Sequence, residues 1–202
     1  MRRIETLDDL HALYGTPGEA SLVKEAAVFT PAYRKIIEAA PFFALATAGP
    51  EGLDCSPRGD RGAAARVAGP STLLIPDRRG NDRIDSLRNI IRDPRVGLMF
   101  LVPGHGNALR VNGRAWITDD EGLRDGFAVE GKPPRTVIVV EVEAIYFQCA
   151  RAIIRAGLWD AAAQSAADGL PTPGEALREL KAGFDAESYD GSWAARAAQT
   201  MW

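Results

Sequence analysis

The chain of 202 residues is poor in the residues that build metal sites and disulfide frameworks. It contains two cysteines, Cys55 and Cys149, which lie far apart in sequence, and two histidines, His11 and His105. Because no motif pairs the cysteines, we expect a reduced, cytoplasmic protein and not a disulfide-stabilised secreted one. These few thiols and imidazoles assemble neither a usual zinc site nor an evident catalytic triad, so we predict no bound metal.

Long apolar runs and an excess of basic residues are missing too. No segment approaches the roughly 20 apolar residues of a membrane span, and the first residues, MRRIETLDDL, lack the apolar centre of a signal peptide. The formal net charge is −3, whereas nucleic-acid-binding proteins usually present a basic face. We therefore expect binding to neither nucleic acid nor a membrane. Neither the GxGxxG nor the Walker phosphate motif occurs, so no phosphate motif supports a doubly wound fold.

Apolar runs of strand length dominate the middle of the chain. They lie at residues 42–48, 53–56, 72–76, 96–102, 108–118 and 136–147. Their apolar or alternating character predicts strands. One conspicuous helix, at about residues 82–92, lies between them and is stopped by Asp93-Pro94. Six strands with one such helix favour a mainly β fold, a small antiparallel barrel, over alternating βαβ units.

The two ends of the chain have a different character from the middle. Residues 1–40 predict an N-terminal helical extension, in which Thr30-Pro31 is a good helix start. Residues 41–160 would form the barrel, and residues 161–202 a C-terminal loop and short helix. The Ala-, Gly- and Pro-rich stretch 160–173 indicates a linker or mobile loop.

The stretch from residue 75 to residue 114 holds a candidate phosphate site. Polar residues cluster around one turn and one predicted helix start: Arg78, Arg79, Asn81, Arg83 and Ser86. Gly80 would permit a tight turn, and Asn81 or Asp82 would cap the helix. Free N–H groups, the positive end of the helix dipole and arginines together suit a phosphate. A solvated, salt-bridged helix start is the alternative, because aspartates offset the arginines: Asp77, Asp82 and Asp85.

Further arginines are candidates with two readings each. Arg58 follows Ser56-Pro57 at a predicted bulge or edge position, and is either a surface residue or a ligand contact. Arg110 and Arg114 share one strand face, which points either to solvent or to a ligand groove. Arg155 lies one helical turn after Arg151, a spacing that by itself indicates only a solvated face.

Four segments carry a resemblance to a known family. They read FFALATAGPEGLDCSPRG, LLIPDRRGNDRIDSLRNIIRDPRVGLMFLVPG, LRVNGRAWIT and VVEVEAIYFQCARAIIRAGLW. In their sequence and order they resemble the FMN-binding split-barrel proteins of the pyridoxamine 5′-phosphate oxidase-like superfamily. The chain looks most like a flavoprotein branch in which SPRG and GNxRxDSLRN recur. The resemblance covers roughly residues 40–160.

The resemblance implies a six-stranded antiparallel split β-barrel that forms a homodimer with FMN at the subunit interface. It places the FMN phosphate near Arg58, Arg78, Asn81 and Arg83. Ile75, Pro76 and Asp77 would lie along the ribityl chain and ring. Further polar contacts would come from Ser56 and Arg110, and contacts from the other subunit from Arg155 and Trp159.

The function implied by the resemblance is an FMN-dependent oxidoreductase acting on a small molecule. Pyridoxamine phosphate oxidases themselves carry a basic RxxLLK-type strand, where this chain reads SPRGDRGAAARV, so vitamin B6 oxidation does not follow. No side chain can be recognised from the sequence as a catalytic acid or base. Two alternatives stay open: a flavin-binding carrier or sensor without turnover, and a relative that binds a deazaflavin or haem.

Overall fold

A computed structural model describes residues 1–164 and 169–202. One antiparallel sheet organises these residues. Its strands are β1 (Phe42–Gly49), β2 (Gly52–Gly59), β3 (Arg66–Val67), β4 (Thr72–Asp77), β5 (Arg95–Leu101), β6 (Ala108–Thr118) and β7 (Thr136–Gln148). They pair in the order β2-β1-β5-β6-β7-β4-β3. The predicted split barrel is confirmed, with six strands of six or more residues and the two-residue β3 as a seventh. Within the described ranges β2 and β3 are not paired, so the barrel is not closed by backbone hydrogen bonds.

Alternation of side chains places the core on one face of the first strands. Phe43 and Leu45 of β1 and Leu98 and Phe100 of β5 are buried, whereas their neighbours are more exposed. Phe43 lies opposite Phe100 in the register, and their ring centroids are 4.7 Å apart. These aromatic side chains therefore hold β1 and β5 together from inside the barrel.

The first half of β7 is buried on both faces, which explains its continuous apolar run. Ile138 and Val140 belong to the main core. Val137 and Val139 form a second small cluster with Leu74, against which side chains of the segment between β6 and β7 pack. A strand covered on both sides has no polar face, so its sequence does not alternate.

A bulge between β6 and β7 lies at Asn112 and Gly113, where the register shifts. A Cβ added to Gly113 would lie 2.2 Å from the carbonyl oxygen of Glu141. The two backbones approach too closely there for any side chain, so this position requires glycine.

Helices flank the sheet. They are α1 (Leu7–His11), α2 (Glu19–Val23), α3 (Pro31–Ala39), α4 (Asp85–Arg92), α5 (Glu121–Asp125), α6 (Arg151–Ala156), α7 (Ala161–Gln164), α8 (Pro173–Leu180), α9 (Ala186–Gly191) and α10 (Trp193–Thr200). The predicted start of α3 is confirmed, because the Thr30 side chain accepts a hydrogen bond from the N–H of Tyr33. Of the predicted linker 160–173, residues 165–168 lie outside the described part. None of the helices in that part has the length and hydrophobicity needed to cross a bilayer.

Candidate functional site

A cavity of about 670 Å³ opens where the two edges of the sheet face each other. Its walls are β2 from Asp54 onward, the end of β4, the loop 78–84, the first turn of α4 and the residues Arg135, Thr136, Met201 and Trp202. Cavities of this size accommodate small molecules and cofactors. The open side of the barrel is therefore the candidate ligand site.

Two reciprocal ion pairs cross the opening between the sheet edges. Nη1 of Arg58, on β2, lies 2.6 Å from Oδ1 of Asp77, at the end of β4. In the opposite sense, Arg78 just after β4 donates to Oδ2 of Asp60 just after β2, from Nε at 2.8 Å and from Nη2 at 2.6 Å. The four side chains are at most 17% exposed. These side chains thus connect the ends of β2 and β4, which share no backbone hydrogen bonds.

The carboxylate of Asp60 is one of two groups that hold Arg78 in place. Nη1 of Arg78 also donates to the backbone oxygen of Phe127 at 2.7 Å. Together with the bonds to Asp60, this engages all three nitrogen atoms of the guanidinium. The geometry gives Arg78 a role in closing the barrel, and its charge is largely neutralised by Asp60.

The helix start differs from the sequence prediction. Neither Asn81 nor Asp82 caps α4; its N-cap is Ile84, whose side chain makes no capping hydrogen bond. Instead, Oδ1 of Asn81 accepts from the N–H of Arg83 at 3.1 Å, closing a small turn within the loop. The prediction failed because a local Asn turn competes with capping. The N–H groups of the first turn of α4 are consequently left without a capping side chain.

The tight turn before α4 is made by residues other than Gly80. Asp82 and Ile84 adopt left-handed conformations, with φ of 60° and 53°, whereas Gly80 does not. A β-branched side chain is sterically disfavoured in this region. Backbone conformations of this kind concentrate at ligand sites, where the surrounding structure enforces them. Ile84 lines the cavity.

Two side-chain hydrogen bonds seat α4 against the strands behind the cavity. Oγ of Ser86 donates to Oδ2 of Asp54 at 2.5 Å, and Nδ2 of Asn89 donates to Oγ1 of Thr47 at 3.1 Å. Ser86, Asn89 and Thr47 are buried. The start of α4 is therefore fixed relative to β1 and β2, and with it the arrangement of N–H groups at the cavity wall.

Five arginines line the cavity, and four of them are paired with carboxylates. Besides the two pairs that cross the opening, Arg83 binds Asp85 at 2.8 Å and Arg135 binds Asp82 at 2.9 Å. Arg79 is exposed and has no ion pair or hydrogen bond with any residue of the described ranges. Among the cavity arginines of the described ranges, it is the one without a carboxylate partner.

Two polar atoms at the cavity wall are also without partners among the described residues. They are Nε of Arg58 and Oγ1 of Thr136, both buried. A buried polar atom without a hydrogen bond is energetically costly. Such atoms at a cavity wall fit a site that is completed by a bound molecule.

Most of the sequence-predicted residues come together in this cavity. Those that line it are Ser56, Arg58, Pro76, Asp77, Arg78, Asn81 and Arg83. Ile75 does not, because its side chain is 1% exposed and packs in the barrel core.

Arg110, Arg155 and Trp159 lie elsewhere in the chain. The Arg110 guanidinium is 5.0 Å from the ring of Tyr146, and Nε1 of Trp159 donates to the carbonyl of His105 at 2.8 Å. Arg155 is exposed on α6. None of the three lines the cavity, although the register places Arg110 in the same row of the sheet as Pro57 of the cavity wall, three strands away.

Several cavity residues escaped the sequence reasoning. The ion pair between Asp60 and Arg78 could have been predicted from the sequence. An arginine precedes an aspartate at positions 58 and 60, and an aspartate precedes an arginine at positions 77 and 78, so two antiparallel segments could form two ion pairs. Arg135, Thr136 and Trp202 had no such signal, since they lie beyond the stretch 75–114 that singled out the site and no local pattern connects them to it.

An open antiparallel sheet with an arginine-lined cavity between its edges defines this chain as a split-barrel ligand-binding protein. The family model for pyridoxamine 5′-phosphate oxidase matches residues 29–149, and the chain belongs to this family. Family membership supports a flavin-binding protein in general. None of the curated proteins matches the chain.

Comparison with solved structures found similar chains at low sequence identity. HupZ from Group A Streptococcus is 17% identical over 60% of this chain and 94% of its own, with a TM-score of 0.50. General Stress Protein 26 from Bacillus anthracis is 18% identical over 56% and 88%, with a TM-score of 0.43. An FMN-binding protein from Syntrophomonas wolfei is 14% identical over 56% and 86%, with a TM-score of 0.42. The similarity to HupZ concerns the fold alone.

Proposed function

We propose that the protein binds FMN in the cavity between β2, β4 and α4 and is an FMN-dependent oxidoreductase acting on a small molecule. The observation that carries the proposal is that the uncapped start of α4 and the unpaired Arg79 line the same cavity, inside the segment that matches the family. Free N–H groups, a helix dipole and an available arginine together suit a phosphate.

The cavity has groups for each part of FMN. Arg79 and the N–H groups of Asp85 to Leu87 suit the phosphate. Ser56 and Arg58 offer further donors, and Pro76 with Asp77 offers a wall for the ribityl chain and ring. The volume of about 670 Å³ lies within the range of cofactor sites.

The chain's own residues bind, orient and shield the cofactor in this proposal. A bound flavin supplies the redox chemistry itself, so no side chain has to act as the electron carrier. The ion pairs that cross the barrel opening hold the two walls of the cavity at a fixed separation. Vitamin B6 oxidation does not follow from family membership, because the segment SPRGDRGAAARV departs from the RxxLLK-type pattern of the oxidases named after it.

The proposal includes a homodimer with the flavin at the subunit interface. Large apolar side chains support it, because they are exposed on the strands and on α4: Phe42, Met99, Trp116 and Ile91, at 38, 43, 51 and 77%. Arg155 and Trp159 would then reach the flavin of the other subunit. We also propose a cytoplasmic location, supported by the free thiols of Cys55 and Cys149.

The visible spectrum of the purified protein tests the cofactor. We expect the two absorption bands of an oxidised flavin, and FMN as the molecule released on denaturation. Release of a deazaflavin or haem would overturn the assignment. Anaerobic addition of a reduced nicotinamide then tests turnover. Rapid bleaching supports the oxidoreductase, whereas flavin that stays oxidised with both reduced nicotinamides favours a carrier or sensor.

A further inference from the structure

The last two residues of this sequence, Met201 and Trp202, reach the candidate FMN cavity. Helix α10 leads to them, and both line the cavity wall. The centroid of the Trp202 ring lies 5.2 Å from Cζ of Arg78 and 5.3 Å from Cζ of Arg61. A half-buried indole is thus in contact distance of two guanidinium groups at the opening of the barrel.

One of these two anchors is rigid. Arg78 is bound to Asp60 and to the carbonyl of Phe127, so its guanidinium cannot follow the indole if the indole moves. Arg61 is more exposed and pairs with Glu130 at 3.6 Å. A planar guanidinium held in place offers a flat surface on which an aromatic ring packs. Arg78 therefore offers the Trp202 ring a guanidinium that is held in place.

Trp202 is a wall of the cavity and does not fill it. The free volume of about 670 Å³ remains with the indole in place. Trp202 is also the single aromatic side chain among the described residues that line this cavity. The other large apolar side chains that line it are aliphatic: Pro57, Pro76, Ile84, Leu87 and Met201.

We propose that Trp202 is the ring-binding residue of the site, and that its indole packs against the planar ring system of the bound flavin beside Arg78. The inference rests on the proposed FMN site and extends it to a residue far outside the segment that matches the family. The cavity then has two functional ends. Arg79 and the start of α4 bind the phosphate, and Trp202 binds the ring.

The two-ended site makes a distinctive prediction about ligand structure. Riboflavin has the ring but not the phosphate. Loss of Trp202 should weaken FMN and riboflavin by the same factor, whereas loss of Arg79 should weaken FMN alone. A residue that only stabilises the fold would not produce this contrast between two substitutions.

The experiment titrates the flavin-free wild type and Trp202→Ala with FMN and with riboflavin, following flavin fluorescence. We expect Trp202→Ala to raise both dissociation constants on the order of tenfold, the loss typical of a removed stacking partner. Trp202→Phe, which keeps a planar ring, should retain most of the affinity. The matched control is Trp193→Ala, on α10 and 62% exposed, which does not line the cavity and should bind as the wild type does.

Unchanged or tighter flavin binding by Trp202→Ala would overturn the inference, and tighter binding would identify Trp202 as an obstruction. If wild-type protein binds no flavin, the proposed function itself fails. If the wild type binds flavin and the substitution Trp202→Ala does not weaken binding, the proposed function stands and only the inference about Trp202 fails. Melting curves establish that each variant is folded. Should Trp202→Ala be unfolded, Trp202→Leu, which is apolar but not planar, provides the same comparison.

Discussion

Arg58 and Asp77 form an ion pair of 2.6 Å between strands that share no backbone hydrogen bonds. In the described sheet, β2 pairs with β1, and β4 pairs with β3 and β7. The pair therefore spans the open side of the barrel, together with the reciprocal pair of Arg78 and Asp60. The cavity lies at this crossing, so the same side chains that close the fold also shape the site.

Breaking the pair should destabilise the fold. In flavin-free protein, we expect Arg58→Leu and Asp77→Asn each to lower the free energy of unfolding by about 1–3 kcal/mol, because each leaves a largely buried partner unpaired. The double variant should lose less than the sum of the two. Denaturant unfolding measures all three. As a control, Arg2→Leu breaks an ion pair whose side chains are 85% and 40% exposed and should change little. Strictly additive losses would contradict a direct Arg58–Asp77 interaction.

Arg79 should determine the preference for a phosphorylated flavin. Arg79→Ala removes the unpaired cavity guanidinium, and we expect FMN affinity to fall on the order of ten- to a hundredfold, with riboflavin affinity unchanged. Arg83→Ala should have a smaller effect, because the carboxylate of Asp85, 2.8 Å from Nε of Arg83, offsets part of its charge. Fluorescence titration measures both. The exposed Arg178 on α8 is the matched control, and an FMN affinity equally reduced in Arg178→Ala would contradict a specific phosphate contact.

Gly113 should tolerate no side chain. Gly113→Ala places a Cβ against the backbone of Glu141, at 2.2 Å from its oxygen, and neither strand can move without disturbing the central pairing of β6 and β7. We expect the free energy of unfolding to fall by about 3 kcal/mol or more. Thermal melting tests this against Gly15→Ala, where no atom lies within 4 Å of the added methyl. Equal melting temperatures for the two variants would contradict the close approach.

The predicted homodimer can be tested at Trp116, which is 51% exposed on β6. Sedimentation of the wild type should give about twice the 21.7 kDa of one chain. Trp116→Glu places a charge on the exposed apolar surface and should shift the equilibrium to monomer, with loss of flavin. Trp193→Glu, equally aromatic and exposed but on α10, is the control. A stable wild-type monomer with full flavin occupancy would refute the interface.

Asp93, directly after α4, should couple stability to acid. The Arg95 side chain, and then the Arg95 backbone N–H, lower the pKa of Asp93 from 3.8 to about 2. A carboxylate whose pKa is lower in the folded than in the unfolded state stabilises the folded state at pH values above its unfolded pKa. For Asp93 this contribution disappears as the pH falls from 3.8 to about 2. Asp93→Asn should therefore melt below the wild type above this window and converge with it at the acidic end. A melting difference that persists unchanged across the window would contradict the coupling.

The sequence by itself determined the strands, the helix stops and the family. Strand β6 has the bounds that its pattern predicts, and α4 ends where Asp93-Pro94 predicts. Thr30 caps α3, as the Thr30-Pro31 pattern predicts. These features depend on propensities, steric restrictions and alternation within a few residues, which a single segment carries in full. The concentration of arginines in one stretch likewise pointed to the end of the barrel where the cavity lies.

The tertiary structure decided which of those arginines are free. The sequence predicts Arg78 as a phosphate ligand, but in the structure it is bound by Asp60. Arg79, the next residue, has no ion-pair partner in the described ranges. The start of α4 moved from residue 82 to residue 85 because the backbone turns left-handed at Asp82 and Ile84. Arg135 and Trp202 reach the cavity from positions that no local pattern connects to it. Contacts between such distant segments follow from the order of strands and from packing against them, and these are properties of the whole fold and not of any one stretch.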